Sequence, residues 1–250
     1  MLTPGLVSIS FRKEPPGTIL REAAAAGLAG IEWGGDVHVP AGDIAAARKV
    51  GRLTRDAGLA VTAYGSYYRL GMSADPTADF APVLASAEAL GAPLIRLWGG
   101  QKGSACLSEP ELSGMAAEMR TLAGLAAEKR ITLALECHPG TLTDDYPVSL
   151  RFLEMVGRPN VRLYWQPNQF RPVSYNLDAA RALAPYTAHV HVFHWDAHAR
   201  YPLRDGEPDW RRYLAVFRES GCDHALLLEF MHDDRLATLA ETAAVLKSWL

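Results

Sequence analysis

The sequence predicts a single-domain α/β protein, a (βα)8 TIM barrel that spans residues 1–250. Three observations support this fold class. Eight short apolar runs alternate with Ala-rich stretches of helical period. The runs recur roughly every 25 to 37 residues, which is the size of a βα unit. Polar residues collect where several runs end, and barrel enzymes carry their chemistry at that edge.

The apolar runs are the predicted strands. They cover Leu6–Phe11, Gly30–Trp33, Ala60–Tyr64, Leu94–Trp98, Ile131–Cys137, Val161–Trp165, His189–Phe193 and Ala225–Phe230. The predicted helices between them include Ile44–Ala57, Phe80–Leu90, Glu111–Lys129, Asp209–Glu219 and Leu236–Leu250. An open doubly wound sheet is the alternative, and it usually has a Gly-rich phosphate-binding turn after its first strand. Here Arg12-Lys13-Glu14-Pro15-Pro16 follows the first run, which favours the barrel.

The composition, with 49% hydrophobic and 21% charged residues, is ordinary for a soluble globular protein. A net charge of −3 predicts no general attraction to nucleic acid or anionic membranes. Residues 1–5 do not resemble a signal peptide, and no stretch approaches the roughly 20 apolar residues that span a bilayer. The three cysteines, Cys106, Cys137 and Cys222, form neither a metal nor a disulfide pattern. We therefore expect a soluble, cytoplasmic protein, and whether it forms a homo-oligomer is left open.

Alternation along each run separates side chains that face the helices from those that face the barrel interior. In the fifth run, Leu133 and Leu135 belong to the helix-facing set and Glu136 ends the opposite set. Glu229 ends the inward set of the eighth run in the same way, and His191 belongs to the inward set of the seventh. Two carboxylates and a histidine at three strand ends predict a site for a divalent metal.

A structural role is the alternative for these carboxylates. A carboxylate is costly to bury unless it meets a cation or a strong hydrogen-bond donor. Arg96, on the inward set of the fourth run, could supply that cation to Glu136. Glu32 lies between Ile31 and Trp33 on the second run and also faces inward. Both a metal site and an interior ion pair therefore remain open from the pattern alone.

Four motifs occur in order along nearly the whole chain. They are Gly30-Ile31-Glu32-Trp33-Gly34-Gly35-Asp36-Val37-His38, Leu133-Ala134-Leu135-Glu136-Cys137-His138-Pro139-Gly140-Thr141-Leu142-Thr143, Gly206-Glu207-Pro208-Asp209-Trp210 and Leu227-Leu228-Glu229-Phe230. Together they resemble the sugar phosphate isomerase/epimerase family of xylose-isomerase-like barrels. Members of that family hold one divalent metal with Glu, Asp, His and Glu on strands five to eight.

The resemblance implies that Glu136, Gln166, His191 and Glu229 bind one divalent ion, which could be Mn, Mg, Co or Zn. Gln166 stands where the family has Asp, and Gln169 stands where many members have a substrate-contacting His. A Gln carbonyl can ligate a hard cation, but it is neutral. We therefore expect the site to lose one negative charge and some metal affinity.

The mechanism that the resemblance implies is proton transfer next to the carbonyl of a ketose, through an enediolate that the metal stabilises. Glu136 and Glu229 are the expected acid and base. The expected substrate contacts are His38, Trp98, His138, Gln169, His194 and Arg200. Trp33, Tyr64 and Tyr67 are further candidates for an apolar wall along a sugar, and Arg204, like Arg200, for holding a phosphate or carboxylate.

Several functions fit this barrel. The first is a metal-dependent isomerase or epimerase acting on a sugar or related hydroxy-ketone. An inosose-type dehydratase would use the same site, and a non-catalytic sugar-binding barrel is a third alternative. A DNA-repair endonuclease of the superfamily would need three zinc ions, but Tyr64-Gly65-Ser66-Tyr67 and Trp98-Gly99-Gly100 carry no His. The net charge also gives no support to DNA binding. Among these functions we expect the isomerase or epimerase.

Overall fold

A computed structural model describes residues 1–250, whose eight parallel strands close into a barrel in chain order. The strands are β1 (Leu2–Val7), β2 (Gly30–Gly34), β3 (Ala60–Arg69), β4 (Leu94–Trp98), β5 (Thr132–Glu136), β6 (Val161–Trp165), β7 (Thr187–Val192) and β8 (His224–Leu228). β1 pairs with both β2 and β8, which closes the sheet. The predicted (βα)8 TIM barrel is confirmed.

Eight helices surround the barrel. They are α1 (Pro16–Ala25), α2 (Ile44–Asp56), α3 (Pro76–Leu90), α4 (Glu109–Glu128), α5 (Tyr146–Val156), α6 (Val173–Leu183), α7 (Glu207–Glu219) and α8 (Leu239–Ser248). Ser108 and Glu111 form a capping box that satisfies backbone donors at the start of α4. Gly91, with φ of 80°, ends α3 in the left-handed conformation that favours glycine. None of the helices has the length and apolar character required to cross a membrane.

The alternation of side chains along the strands divides the core into two clusters. Leu133 and Leu135 belong to the larger cluster, which lies between the strands and the helices. The smaller cluster fills the barrel interior and includes Ala134, Tyr164 and Leu227. On several strands, among them β5 and β8, the inward set therefore changes from apolar to polar toward the C-terminal end, as the sequence pattern predicts.

Two strands differ from the predicted boundaries by more than two residues, and the others agree within two. The first was predicted at Leu6–Phe11, but β1 is Leu2–Val7 and residues Ser8–Phe11 form a short 3-10 helix. The apolar pattern continues through this turn because its residues are buried as well. β3 runs five residues beyond the predicted end at Tyr64, and its pairing with β4 is irregular between Gly65 and Arg69. This extension carries Tyr67 and Arg69 to the mouth of the barrel.

Candidate active site

Four residues converge at the C-terminal end of the barrel. Glu136 ends β5, His191 lies on β7, and Gln166 and Glu229 directly follow β6 and β8. One ligand atom from each of Glu136, His191 and Glu229 lies within 4.8 Å of the other two. The Nδ1 atom of His191 is 2.9 Å from Oε1 of Gln166, 3.7 Å from the Glu136 carboxylate and 3.6 Å from the Glu229 carboxylate. The structure thus brings together the four residues expected to share one ion.

A buried guanidinium lies against this cluster. Arg96 donates from Nη1 to Oε2 of Glu136 at 2.5 Å and from Nε to Oε1 of Glu32 at 2.9 Å. All three side chains are at most 4% exposed. Gly65 on β3 leaves room for the pair, since a Cβ atom there would collide with Oε1 of Glu32. The interior ion pair that the sequence left open for Glu136 is therefore present, beside the convergent cluster.

Glu32 also belongs to the site, although the sequence predicted no metal-binding or substrate-binding role for it. Its Oε2 atom lies 3.5 Å from Nε2 of His191, and neither atom has a hydrogen-bond partner. The Glu32 carboxylate therefore lies beside Nε2 of His191, whereas the carboxylates of Glu136 and Glu229 lie beside Nδ1. A carboxylate in this position orients a metal-binding histidine. The alternation of side chains along the second predicted strand was the sequence signal that could have identified Glu32, because it places this side chain in the barrel interior.

The cluster shifts the pKa values of its members in opposite directions. Burial alone would raise the pKa of Glu32 and Glu136, but Arg96 and His191 outweigh it and lower both values to about 2. Burial opposes the charge on His191, yet the surrounding carboxylates raise its pKa to about 10. Burial and the negative charge of Glu136 raise the pKa of Glu229 to about 7, against the opposing effect of His191. Glu229 is thus the carboxyl of the cluster that can exchange a proton near neutral pH.

The cluster opens into a cavity of about 270 Å³ at the barrel mouth. The lining combines carboxylates, amides, guanidinium groups and aromatic rings: Ile9, Arg12, Tyr67, Arg69, Arg96, Trp98, Glu136, His138, Gln166, Gln169, Trp195, Glu229 and Phe230. A larger cavity of about 670 Å³ lies beside the end of β3 and α4, but the convergent titratable groups do not line it. The smaller cavity is the candidate active site because the perturbed carboxylates face it.

Three of the expected substrate contacts line this cavity, namely Trp98, His138 and Gln169. The rings of His138 and Trp98 lie 4.6 Å apart, and Nδ1 of His138 donates to the Pro139 carbonyl at 2.8 Å. The Nε2 atom of His138 then carries the lone pair. Trp98 Nε1 and Gln169 Oε1 have no hydrogen-bond partner within the protein.

The other three expected contacts lie outside the cavity lining. His38 is buried with Nδ1 3.0 Å from Oγ of Ser8 and Nε2 3.1 Å from the carbonyl oxygen of Glu14. Both of its ring nitrogens are therefore used within the protein, so the expected substrate contact is corrected to a structural role. His194 packs against Tyr201.

Arg200 and Arg204 are each neutralised by a nearby carboxylate, Asp234 and Glu241 respectively, and neither lines the cavity. Their expected role in holding an anion therefore gains no support from the cavity lining and stays a prediction.

The aromatic residues expected to form a wall along a sugar also fall into two groups. Tyr67 and Trp98 line the cavity, whereas Trp33 and Tyr64 pack in the core between strands and helices. Trp33 donates from Nε1 to Oγ1 of Thr54 at 3.0 Å, and Tyr64 donates to the Val39 carbonyl at 2.9 Å. Parity explains the difference, since Trp33 and Tyr64 are on the outward faces of their strands.

The donor set at the mouth fits a divalent cation. Two carboxylates, an amide oxygen and an imidazole nitrogen converge there, and divalent metals in proteins accept all three ligand types. The carboxylates that raise the pKa of His191 would attract a divalent ion in the same way. Metal binding requires neutral imidazole and would therefore release the proton of His191.

Comparison with known proteins assigns the fold family. Residues 20–249 match the family model of the xylose isomerase-like TIM barrel. The chain belongs to this family. The 3-dehydroshikimate dehydratase of Bacillus anthracis is 34% identical over 103 residues, which are 39% of this chain and 35% of that protein. The match thus spans about a third of that curated relative.

Solved structures show the same xylose isomerase-like barrel over almost the full chain. The probable 3-DHS dehydratase of petrobactin synthesis from Bacillus anthracis superposes with a TM-score of 0.81 at 23% identity, covering 99% of both chains. A D-psicose 3-epimerase superposes with a TM-score of 0.74 at 16% identity, over 98% of this chain and 97% of that one. The D-allulose 3-epimerase from Methylomonas sp. gives 0.75 at 17% identity, over 100% and 98%. These named relatives are enzymes.

Proposed function

We propose that this barrel is a metal-dependent enzyme that removes a proton next to the carbonyl of a small hydroxy-ketone. The observation that carries the proposal is the convergence of Glu136, His191 and Glu229 within 4.8 Å at the mouth cavity. Two buried carboxylates and a buried histidine at the C-terminal ends of the strands contribute little to core packing. Barrel enzymes place their catalytic residues at these strand ends. A cytoplasmic location and a small-molecule substrate belong to the same proposal.

Glu136, Gln166, His191 and Glu229 would hold the ion, and Glu32 would orient His191 from its far side. A bound divalent ion supplies positive charge that stabilises the negative charge developing on the substrate oxygens. Arg96 keeps Glu136 ionised, as the lowered pKa of that carboxyl shows. Glu136 therefore fits a ligand that remains charged throughout the reaction.

Two groups suit proton transfer. Glu229 lies in the cavity wall beside the expected ion, where its carboxylate can accept a proton from the substrate and return one. His138 presents the lone pair of Nε2 while Nδ1 is held by the Pro139 carbonyl. One of these groups takes the proton from the carbon next to the carbonyl, and the other returns a proton to the substrate. This assignment replaces Glu136 by His138 as the partner of Glu229.

The destination of the returned proton distinguishes epimerisation from dehydration. Returned to carbon on the opposite face, it gives epimerisation. Delivered to a hydroxyl group on the neighbouring carbon, it lets that hydroxyl leave as water, and the reaction is a dehydration. The 34% identity with the 3-dehydroshikimate dehydratase of Bacillus anthracis and the TM-score of 0.81 with the probable 3-DHS dehydratase from the same organism favour dehydration, and the two epimerase structures support the other outcome.

The test compares two carbonyl substrates. The protein, with and without chelator and with Mn²⁺ restored, is incubated with 3-dehydroshikimate and with D-fructose in D₂O. Dehydration appears as a new aromatic absorbance, and epimerisation as deuterium incorporation beside the carbonyl in NMR spectra. We expect Glu229→Gln to abolish turnover without a change in thermal stability, while Glu118→Gln on α4 retains it. Turnover that survives Glu229→Gln, or that is indifferent to chelator, would contradict the proposal.

A further inference from the structure

Arg69 occupies an unusual place at the mouth cavity. It ends the extension of β3 and pairs across the sheet with Trp98 at the end of β4. Its guanidinium carbon lies 4.3 Å from the centroid of the Trp98 ring, and Nη1 donates to the Gly100 carbonyl at 3.1 Å. These two contacts hold a half-buried guanidinium group at the cavity wall.

Arg69 has no carboxylate partner. The two other arginines that line the cavity are each neutralised within 4.0 Å, since Arg96 pairs with Glu32 and Glu136 and Arg12 pairs with Asp36. Arg200 and Arg204, after β7, pair with Asp234 and Glu241. Arg69 alone among the arginines lining the cavity keeps an uncompensated positive charge.

A guanidinium carries five N–H donors in a fixed plane, and one contact to Gly100 leaves most of them available. The stacking on Trp98 restricts the plane, so that little conformational freedom remains to be lost when an anion binds. A charge-assisted pair in a partly closed cavity is stronger than the same pair on an open surface. The cavity therefore favours a ligand that carries one negative charge near Arg69.

We propose that the substrate is a carboxylated hydroxy-ketone and that Arg69 binds its carboxylate, an inference that rests on the proposed function of the same cavity. A carboxylate carries one negative charge, which one uncompensated guanidinium balances. A phosphate monoester carries about 1.5 to 2 negative charges and would leave part of its charge unpaired. The cavity of about 270 Å³ also suits a compact ring acid better than a sugar extended by a phosphate group.

The competing role for Arg69 is structural, as a link between the end of β3 and the loop after β4. A structural link would affect all ligands of the cavity equally. A carboxylate-binding residue would affect only ligands that carry the acid group. The two roles are therefore separated by a pair of ligands that differ in that group.

The experiment uses quinate, a cyclohexane polyol with a carboxylate, and myo-inositol, a cyclohexane polyol without one. Binding of each is measured by calorimetry in chelator-treated protein and in protein supplied with Mn²⁺. We expect wild type to bind quinate more tightly than myo-inositol, and added salt to weaken only the quinate complex. Arg69→Gln should weaken quinate binding about 10-fold or more and leave myo-inositol unchanged. Arg69→Lys should recover part of the affinity because it restores the charge.

Arg171 supplies the matched control, since it stacks on Tyr175 at 4.9 Å but lies outside the cavity lining. Arg171→Gln should leave both affinities unchanged. Equal losses for quinate and myo-inositol in Arg69→Gln, or no saturable binding of quinate to wild type, overturn the inference. Displacement of quinate by inorganic phosphate at lower concentration than by acetate also overturns it. A parallel Mn²⁺ titration distinguishes failure of this inference from failure of the proposed function. If wild type does not bind Mn²⁺, the proposed function is refuted. The effect of Arg69→Gln on quinate affinity is measured in chelator-treated protein and does not depend on that result.

Discussion

The Oε1 atom of Gln166 lies 2.9 Å from Nδ1 of His191. The oxygen accepts, so Nδ1 carries the proton in this arrangement. The same Nδ1 faces the carboxylates of Glu136 and Glu229. Gln166 therefore contributes an oxygen to the cluster at the position where the family resemblance predicts a metal ligand, but it contributes no charge.

The first prediction concerns this missing charge. Gln166→Asp would add a third carboxylate beside the expected ion, and Coulomb attraction should tighten Mn²⁺ binding about 10-fold or more. The side chain is one methylene shorter, and a water molecule can bridge that gap. Calorimetric titration of Mn²⁺ into both proteins measures the change. Gln101→Glu adds the same charge in an exposed loop and should have no effect. Unchanged or weaker binding in Gln166→Asp would show that Gln166 is not a ligand.

The convergent cluster could be predicted from sequence because each member sits at a strand end with inward parity. Glu136, His191 and Glu229 need only the correct strands and the alternation of side chains to be placed together. Arg69 could not be predicted in this way, because the irregular pairing of β3 with β4 extends the strand beyond its apolar run. The neutralisation of Arg200 by Asp234 likewise depends on a loop contact that no local pattern encodes.

The second prediction concerns Glu32 and its contact with His191. Glu32→Gln removes the charge that faces Nε2, and loss of such an orienting carboxylate typically lowers metal affinity about 10- to 100-fold. Competition with a fluorescent chelator for Mn²⁺ gives the affinity. Glu118→Gln is the control, since Glu118 accepts hydrogen bonds from Tyr68 and the Gly71 amide, away from the cluster. Equal affinities for wild type and Glu32→Gln would argue against this role.

The third prediction concerns the buried ion pairs of Arg96. Arg96→Met leaves Glu32 and Glu136 buried without their cation, so the free energy of unfolding should fall by about 3 to 5 kcal/mol. Arg151→Met removes an exposed pair with Glu109, and it should leave the free energy of unfolding almost unchanged because solvent screens that pair. Denaturant unfolding of the three proteins provides the comparison. If the two variants lose the same stability, the buried pairs do not support the fold.

The fourth prediction tests the corrected role of His38. His38→Ala breaks the hydrogen bonds to Ser8 and to the Glu14 carbonyl, and each lost buried bond costs about 1 to 3 kcal/mol. We expect a lower melting temperature with unchanged affinity for Mn²⁺ and for quinate. His232→Ala, at an exposed position, should change neither quantity. A selective loss of ligand affinity in His38→Ala would restore the substrate contact expected from sequence.

The bonds of Arg96 to Glu32 and Glu136 also constrain how new chemistry could be introduced into this barrel. They join β2, β4 and β5 across the interior, so an acid on one strand is balanced by a base on another. Replacement of Arg96 alone leaves two buried carboxylates without their cation, whereas replacement of one glutamate still leaves Arg96 paired with the other. Redesign or natural divergence at Arg96 therefore has to change the carboxylates with it, while either glutamate can be exchanged first.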